Sequence, residues 1–156
     1  MTARVIAEEG DFMSVVAGPL AVQVWRRETT PDGLDALERL HDTVRAAHPK
    51  MAFLIYVDEA AAPPSAAART RIAEMMRRSD RTVAAALVFP GHGFKASMMR
   101  GVVTGLNLVA GYPFPYRTFA TLASALGWLR AAVDLPPDLE RTLASLERPT
   151  ESVPPP

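Results

Sequence analysis

The sequence predicts an α/β domain built on a mostly parallel sheet with an antiparallel hairpin at its start, and three observations predict it. Residues 51–57 and 82–89 are apolar at nearly every position, as strands buried on both faces are. Each of these runs leads into a segment with apolar residues at helical spacing. Residues 12–26 instead read as two short strands around Gly18-Pro19, a turn signal that joins antiparallel neighbours. Strand–strand–helix followed by three strand–helix units gives right-handed crossovers and a mainly parallel sheet with about four to five helices.

In chain order, a weak strand at 4–7 precedes the hairpin arms at 12–17 and 20–26. In the second arm Leu20, Val22 and Val24 alternate with Ala21, Gln23 and Trp25, which places Trp25 at a sheet edge or under a helix. Thr29-Thr30-Pro31 starts a helix that runs to about Ala47: a threonine cap, proline at the first position and early aspartates that suit the helix dipole. Leu34, Leu37, Leu40, Val44 and Ala47 form its apolar stripe. The strand 51–57 ends at Asp58-Glu59, and beyond Pro63-Pro64 a helix begins with Ser65 as its cap and Ile72, Met75 and Met76 inward. After the strand 82–89 comes Pro90-Gly91-His92-Gly93. Phe94, Met98, Val102, Leu106 and Val109 then mark the expected buried stripe of a third helix, with Gly101 and Gly105 allowing close approach to a neighbour. A short strand at 116–120, a fourth helix to about Val133 and a last helical segment to about Leu146 complete one domain over 1–146. The proline-rich 147–156 is expected to be a disordered tail.

A chain of 156 residues suffices for one domain with a core of its own. Cysteine is absent, which excludes disulfides, thiolate metal sites and cysteine nucleophiles and suits the cytoplasm. The N-terminus has no apolar stretch of signal-peptide length, and no apolar run is long enough for a transmembrane helix. With 17 basic and 17 acidic residues, the chain lacks the basic surplus of a nucleic-acid binder. The distribution is uneven: residues 65–100 hold 7 basic and 2 acidic side chains.

That basic segment supplies the candidate sites. Ser65, at a helix N-terminus with Arg69 and Arg71 near, suits a phosphoacceptor, against the plainer reading of a cap. Gly91, His92, Gly93 and Lys95, with Arg69, stand where open α/β sheets bind ligands and would favour an anion, against the plainer reading of a tight turn. The Walker and dinucleotide spacings are missing, so no cofactor is implied. Arg71, Arg77, Arg78 and Arg81 form a candidate surface for an acidic protein partner or an anionic headgroup. His41, His48 and His92 lack metal-ligand spacing, and no Gly-x-Ser-x-Gly elbow is present, so neither a metal nor a catalytic residue is assigned.

The order of elements, with Asp58 closing a strand and Ser65 opening the next helix, resembles the STAS domains of bacterial anti-sigma-factor antagonists and the wider STAS/SEC14-like group, over roughly residues 12–133. In those antagonists a phosphorylated serine closely follows the aspartate. Here Ser65 stands seven residues on, behind Pro63-Pro64. The Pro-Pro-Ser-Ala helix start and the Gly-His-Gly-Phe junction are also similar to those of uncharacterised small proteins. The resemblance implies a non-enzymatic cytoplasmic regulatory or adaptor domain that binds a protein, with phosphorylation as its switch. The SEC14 side implies instead a carrier of a small molecule or lipid. A third reading is a small hydrolase or transferase using His92.

Overall fold

A computed structural model describes residues 3–147 apart from residue 92. Six strands lie in sequence order across one sheet: β1 (Arg4–Glu8), β2 (Phe12–Ala17), β3 (Leu20–Trp25), β4 (Met51–Val57), β5 (Thr82–Val88) and β6 (Tyr116–Phe119). The first three pair antiparallel and the last four parallel, so β3 belongs to both regimes. Five helices accompany them: α1 (Pro31–Ala47), α2 (Ala66–Arg77), α3 (Phe94–Ala110), α4 (Leu122–Leu129) and α5 (Leu139–Glu147). The expected mixed sheet is present, with the weak first strand realised as β1 and the two apolar runs adjacent and parallel at its centre. Of the expected tail, 147–156, Glu147 closes α5 and residues 148–156 lie outside the described residues.

The sheet order explains where the helices sit. Parallel strands added successively in one direction by right-handed crossovers put every crossover helix on the same face. That face carries Ala21, Trp25, Phe53, Ile55, Ala85 and Leu87, packed by α1, α2 and the inner side of α3 through Val103. The opposite face carries Val15, Val22, Val24, Leu54, Ala86 and Val88, so the chain must supply more cover after β6. Leu126 and Leu129 of α4 with Leu139 and Leu143 of α5 provide it.

Local chemistry sets the helix starts. The Thr30 hydroxyl accepts from Gly33 N at 3.0 Å and Pro31 opens α1, as the Thr-Thr-Pro motif predicts. Gly33 is required by contact: a Cβ there would lie 2.5 Å from the Trp25 ring and 3.1 Å from Phe12. Trp25 is therefore seated under α1. Beside it Gln23, buried with Ser14, accepts from the Ser14 hydroxyl at 2.6 Å and donates to Gly33 O, which satisfies a polar pair inside the sheet.

The stripe expected for α3 is corrected at Met98 and Val102, while the side chains of Phe94, Leu106 and Val109 lie outside those described. Met98 and Val102 are 50% and 51% exposed, while Val103, one residue on, packs toward the core. Gly101 and Gly105 do not meet a neighbouring helix either, since a Cβ at either position would touch nothing within 4 Å. The helix is apolar on more than one side, so hydropathy alone allowed the wrong rotation.

Candidate functional site

The carboxyl edge of the parallel strands collects the junctions β4–α2 and β5–α3. At the first, Asp58 Oδ1 accepts from Ala60 N at 3.2 Å and its carbonyl from Ala61 N at 2.9 Å, a side-chain-stabilised turn. Ser65 is exposed and caps α2, accepting from Ala68 N at 3.1 Å. Arg69 turns back over this start, donating to Pro64 O at 3.0 Å.

At the second junction Gly91 and Gly93 take φ of 115° and 112°, values that strain any other residue. Gly93 is the N-cap of α3, without a side-chain cap, and Lys95 lies in the first turn. His92 lies outside the described residues. Two further side chains shape this loop. Arg100 donates to Phe89 O at 2.8 Å and to Gly91 O at 3.2 Å. Glu59 comes so close that a Cβ on Gly91 would sit 2.7 Å from its Oε1. A carboxylate from β4–α2 thus approaches the β5–α3 loop, where it complements the positive end of α3 and opposes an added anion. Its proximity was hidden because 32 positions separate Glu59 from Gly91 in the chain.

The basic residues do not converge. Arg71 sits between α1 and α2, its Nη2 2.5 Å from Asp35 and its Nε 3.1 Å from Glu38, and these bonds hold its pKa above the ordinary range. Arg81 donates to Arg45 O and His48 O and so terminates α1. Arg77 donates to Ala110 O at 3.2 Å, the last carbonyl of α3. Arg78 caps α2 and is exposed. Of the four residues expected to form one partner surface, two are thus engaged along α1, one is tied to the end of α3, and Arg78 points to solvent.

Around them lies a polar seam. His41, 8% exposed and stacked 5.8 Å from Phe53, places Nε2 2.8 Å from the hydroxyl of Ser79 and Nδ1 3.1 Å from Asp42. Ser79, 1% exposed, also bonds the Thr82 hydroxyl. An Asp–His–Ser order of this kind invites a catalytic reading, but the hydroxyl is sealed inside the packing and no substrate atom can reach it. Next to the seam Arg45 grips Asp80 with two bonds at 2.8 and 2.9 Å, and this pairing lowers the Asp80 carboxyl to about 2.

Beyond α2 the rings of Tyr112, Phe114 and Tyr116 stack with centroids 5.5–5.7 Å apart, and burial pushes the Tyr116 hydroxyl above its ordinary range. Over the other sheet face a small apolar void of about 10 Å³, room for no more than one water, is lined by Met13, Val15, Val22, Val24, Leu54, Tyr56, Leu122 and Leu143. Among the described residues no cluster of His, Asp and Glu could hold a metal ion, and no helix is long and apolar enough to cross a membrane.

No protein-family model and no curated protein matches the chain. Among solved structures it is similar to an uncharacterized DUF3478-family protein with a SpoIIAA-like fold from Shewanella loihica PV-4. The identity is 16%, over 82% of this chain and 94% of that one, with a TM-score of 0.46.

Proposed function

We propose that this α/β domain is a regulatory or adaptor module that works by binding another protein and carries out no chemistry of its own. The observation that carries the proposal is the outer side of α3. Both sheet faces are covered by helices, yet Met98 and Val102, one turn apart, stand half exposed on a helix that packs toward the core through Val103. Exposed aliphatic residues grouped on one element mark interaction surfaces more often than scattered ones do. Arg77 reaches the end of this helix through its bond to Ala110 O, and Arg78, at the end of α2, is exposed. Ser65 is proposed as the switch: its hydroxyl is exposed at a helix N-terminus, where a phosphate would be held by backbone amides and Arg69.

The test is purification of the full chain from its own host under mild conditions, followed by native mass spectrometry. A stoichiometric protein partner, with Ser65→Asp altering its retention, is the expected result. A bound small molecule without any protein partner would overturn the proposal.

That contrary result would favour a second reading, a carrier of a small apolar molecule, which rests on the small void between the sheet and α4/α5. Entry there requires one of these two short helices to move off the sheet.

A further inference from the structure

We infer that the outer edge of β6 takes an extended, acidic segment of the partner protein as a seventh strand. The inference rests on the protein-binding reading and names the partner's mode of docking and its chemistry. β6 ends the sheet, and its backbone groups alternate in direction. The parallel register sets Ala85 opposite Tyr116 and Leu87 opposite Thr118, which turns the amides and carbonyls of Arg117 and Phe119 toward β5. Pro115 O and Phe119 O accept there from Ala85 N and Phe89 N at 3.0 and 2.9 Å. The N–H and C=O groups of Tyr116 and Thr118 therefore point outward, and among the described residues no group bonds them. The opposite edge is guarded, since β1 carries a bulge between Val5 and Ala7 and a charge at each end, Arg4 and Glu8. β6 pairs without a bulge, and the N–H that Pro115 lacks would have faced β5. α3 borders the open edge, with Thr104 Oγ1 3.2 Å from Thr118 Oγ1, so a partner seated on α3 reaches it.

Arg117 sets the charge of the occupant. It is the only charged residue of β5, β6 and α4, and it is exposed. Its guanidinium lies 5.3 and 5.8 Å from the ring centroids of Phe119 and Trp128. Those rings hold the cation without neutralising it, and none of the described carboxylates pairs with it. A residue opposite Arg117 on an added strand stands on the same sheet face, so Glu or Asp there is attracted and Lys or Arg is repelled. Arginine grouped with aromatic rings is also the composition on which binding energy concentrates. A second copy of this chain is disfavoured by the same residue. The antiparallel register that bonds Tyr116 of each copy to Thr118 of the other would set the two Arg117 side chains directly opposite each other.

The full-length, isotope-labelled protein is titrated with an extended peptide of about six residues, Val and Thr alternating around one central Glu, and with a twin in which Lys replaces that Glu. In the free protein the amides of Tyr116 and Thr118 should exchange readily with solvent, while those of Arg117 and Phe119 are protected by β5. The Glu peptide should slow exchange at Tyr116 and Thr118 by about tenfold or more and leave Arg117 and Phe119 unchanged. Added salt should weaken it, and the Lys twin should not bind. Thr118→Pro removes an outward N–H that β5 does not use, so it should abolish peptide binding at little cost in stability. Arg117→Glu should weaken the Glu peptide by about tenfold or more and admit the Lys twin. Protection of Tyr116 and Thr118 in the free protein, whether by a second copy or by the chain itself, would overturn the inference. So would equal binding of both peptides or no added protection. A native partner retained undiminished by Thr118→Pro would also overturn this site while leaving the protein-binding reading standing.

Discussion

Helices α2 and α3 lie on the same face of the same sheet, each crossing between parallel strands, and they meet the solvent in opposite ways. α2 is tied to α1 along its length: Arg71 to Asp35 and Glu38, then Ser79 to His41 and Asp80 to Arg45 just beyond its end. Its capping serine bonds the first turn. α3 starts at a glycine without a side-chain cap and turns Met98 and Val102 outward. The local excess of positive charge therefore serves the fold on both helices: Arg71 of α2 pairs with carboxylates of α1, and Arg100 of α3 holds the carbonyls of Phe89 and Gly91. The lesson is that charge bias along a sequence locates a binding surface only after the intramolecular carboxylates have been assigned.

The contrast is broken most strongly by truncating the interior. Leu40→Ala on α1, a fully buried site, should cost about 2–5 kcal/mol, and Val102→Ala on α3 no more than about 0.5 kcal/mol, as read by urea unfolding. A comparable loss at Val102 would mean that α3 is packed, contrary to the structure.

A glycine pair gives the next effect. Gly33→Ala drives a methyl into the Trp25 ring and should destabilise by about 1–3 kcal/mol. Gly105→Ala meets open space and should stabilise by up to about 1 kcal/mol through helix propensity. Thermal unfolding of the two variants should thus shift in opposite directions.

The polar seam comes third. Ser79→Ala leaves His41 Nε2 and the Thr82 hydroxyl without their shared partner in a buried place, with an expected cost of about 1–3 kcal/mol. Arg71→Ala removes two bonds from a partly exposed guanidinium and should cost only about 0–1 kcal/mol, less still at high salt.

The smallest effect is a pH dependence. Asp80 has its folded-state pKa lowered from 3.8 to about 2 by Arg45, so its ion pair favours the folded state fully above the unfolded value. That contribution is lost as pH falls through about 2. The stability difference between the parent and Asp80→Asn should therefore be present at neutral pH and vanish by the acid end of this window. A difference that persists there would remove the ion pair from the account.

Much of the fold was legible because its signals are local. The apolar runs of β4 and β5 required burial on both faces, Gly18-Pro19 required a hairpin, and Thr30 and Ser65 cap as their neighbours suggest. The candidate surface was less legible because it depends on contacts distant in sequence. Arg71 finds Asp35 and Glu38 across 36 and 33 positions, and no local pattern announces that pairing. The rotation of α3 failed for a different reason: Met98, Val102 and Val103 are all apolar, so periodicity admits more than one inward side.

The central claim is that α3, and not the basic end of α2, is where this protein meets its partner. Photo-crosslinking residues placed at positions 78 and 102 of otherwise unchanged full-length protein, in its native host, test it most directly. Position 102 should capture one protein partner, and Gly105→Leu should abolish that capture, with position 78 giving little or none. Capture from position 78 alone would contradict it.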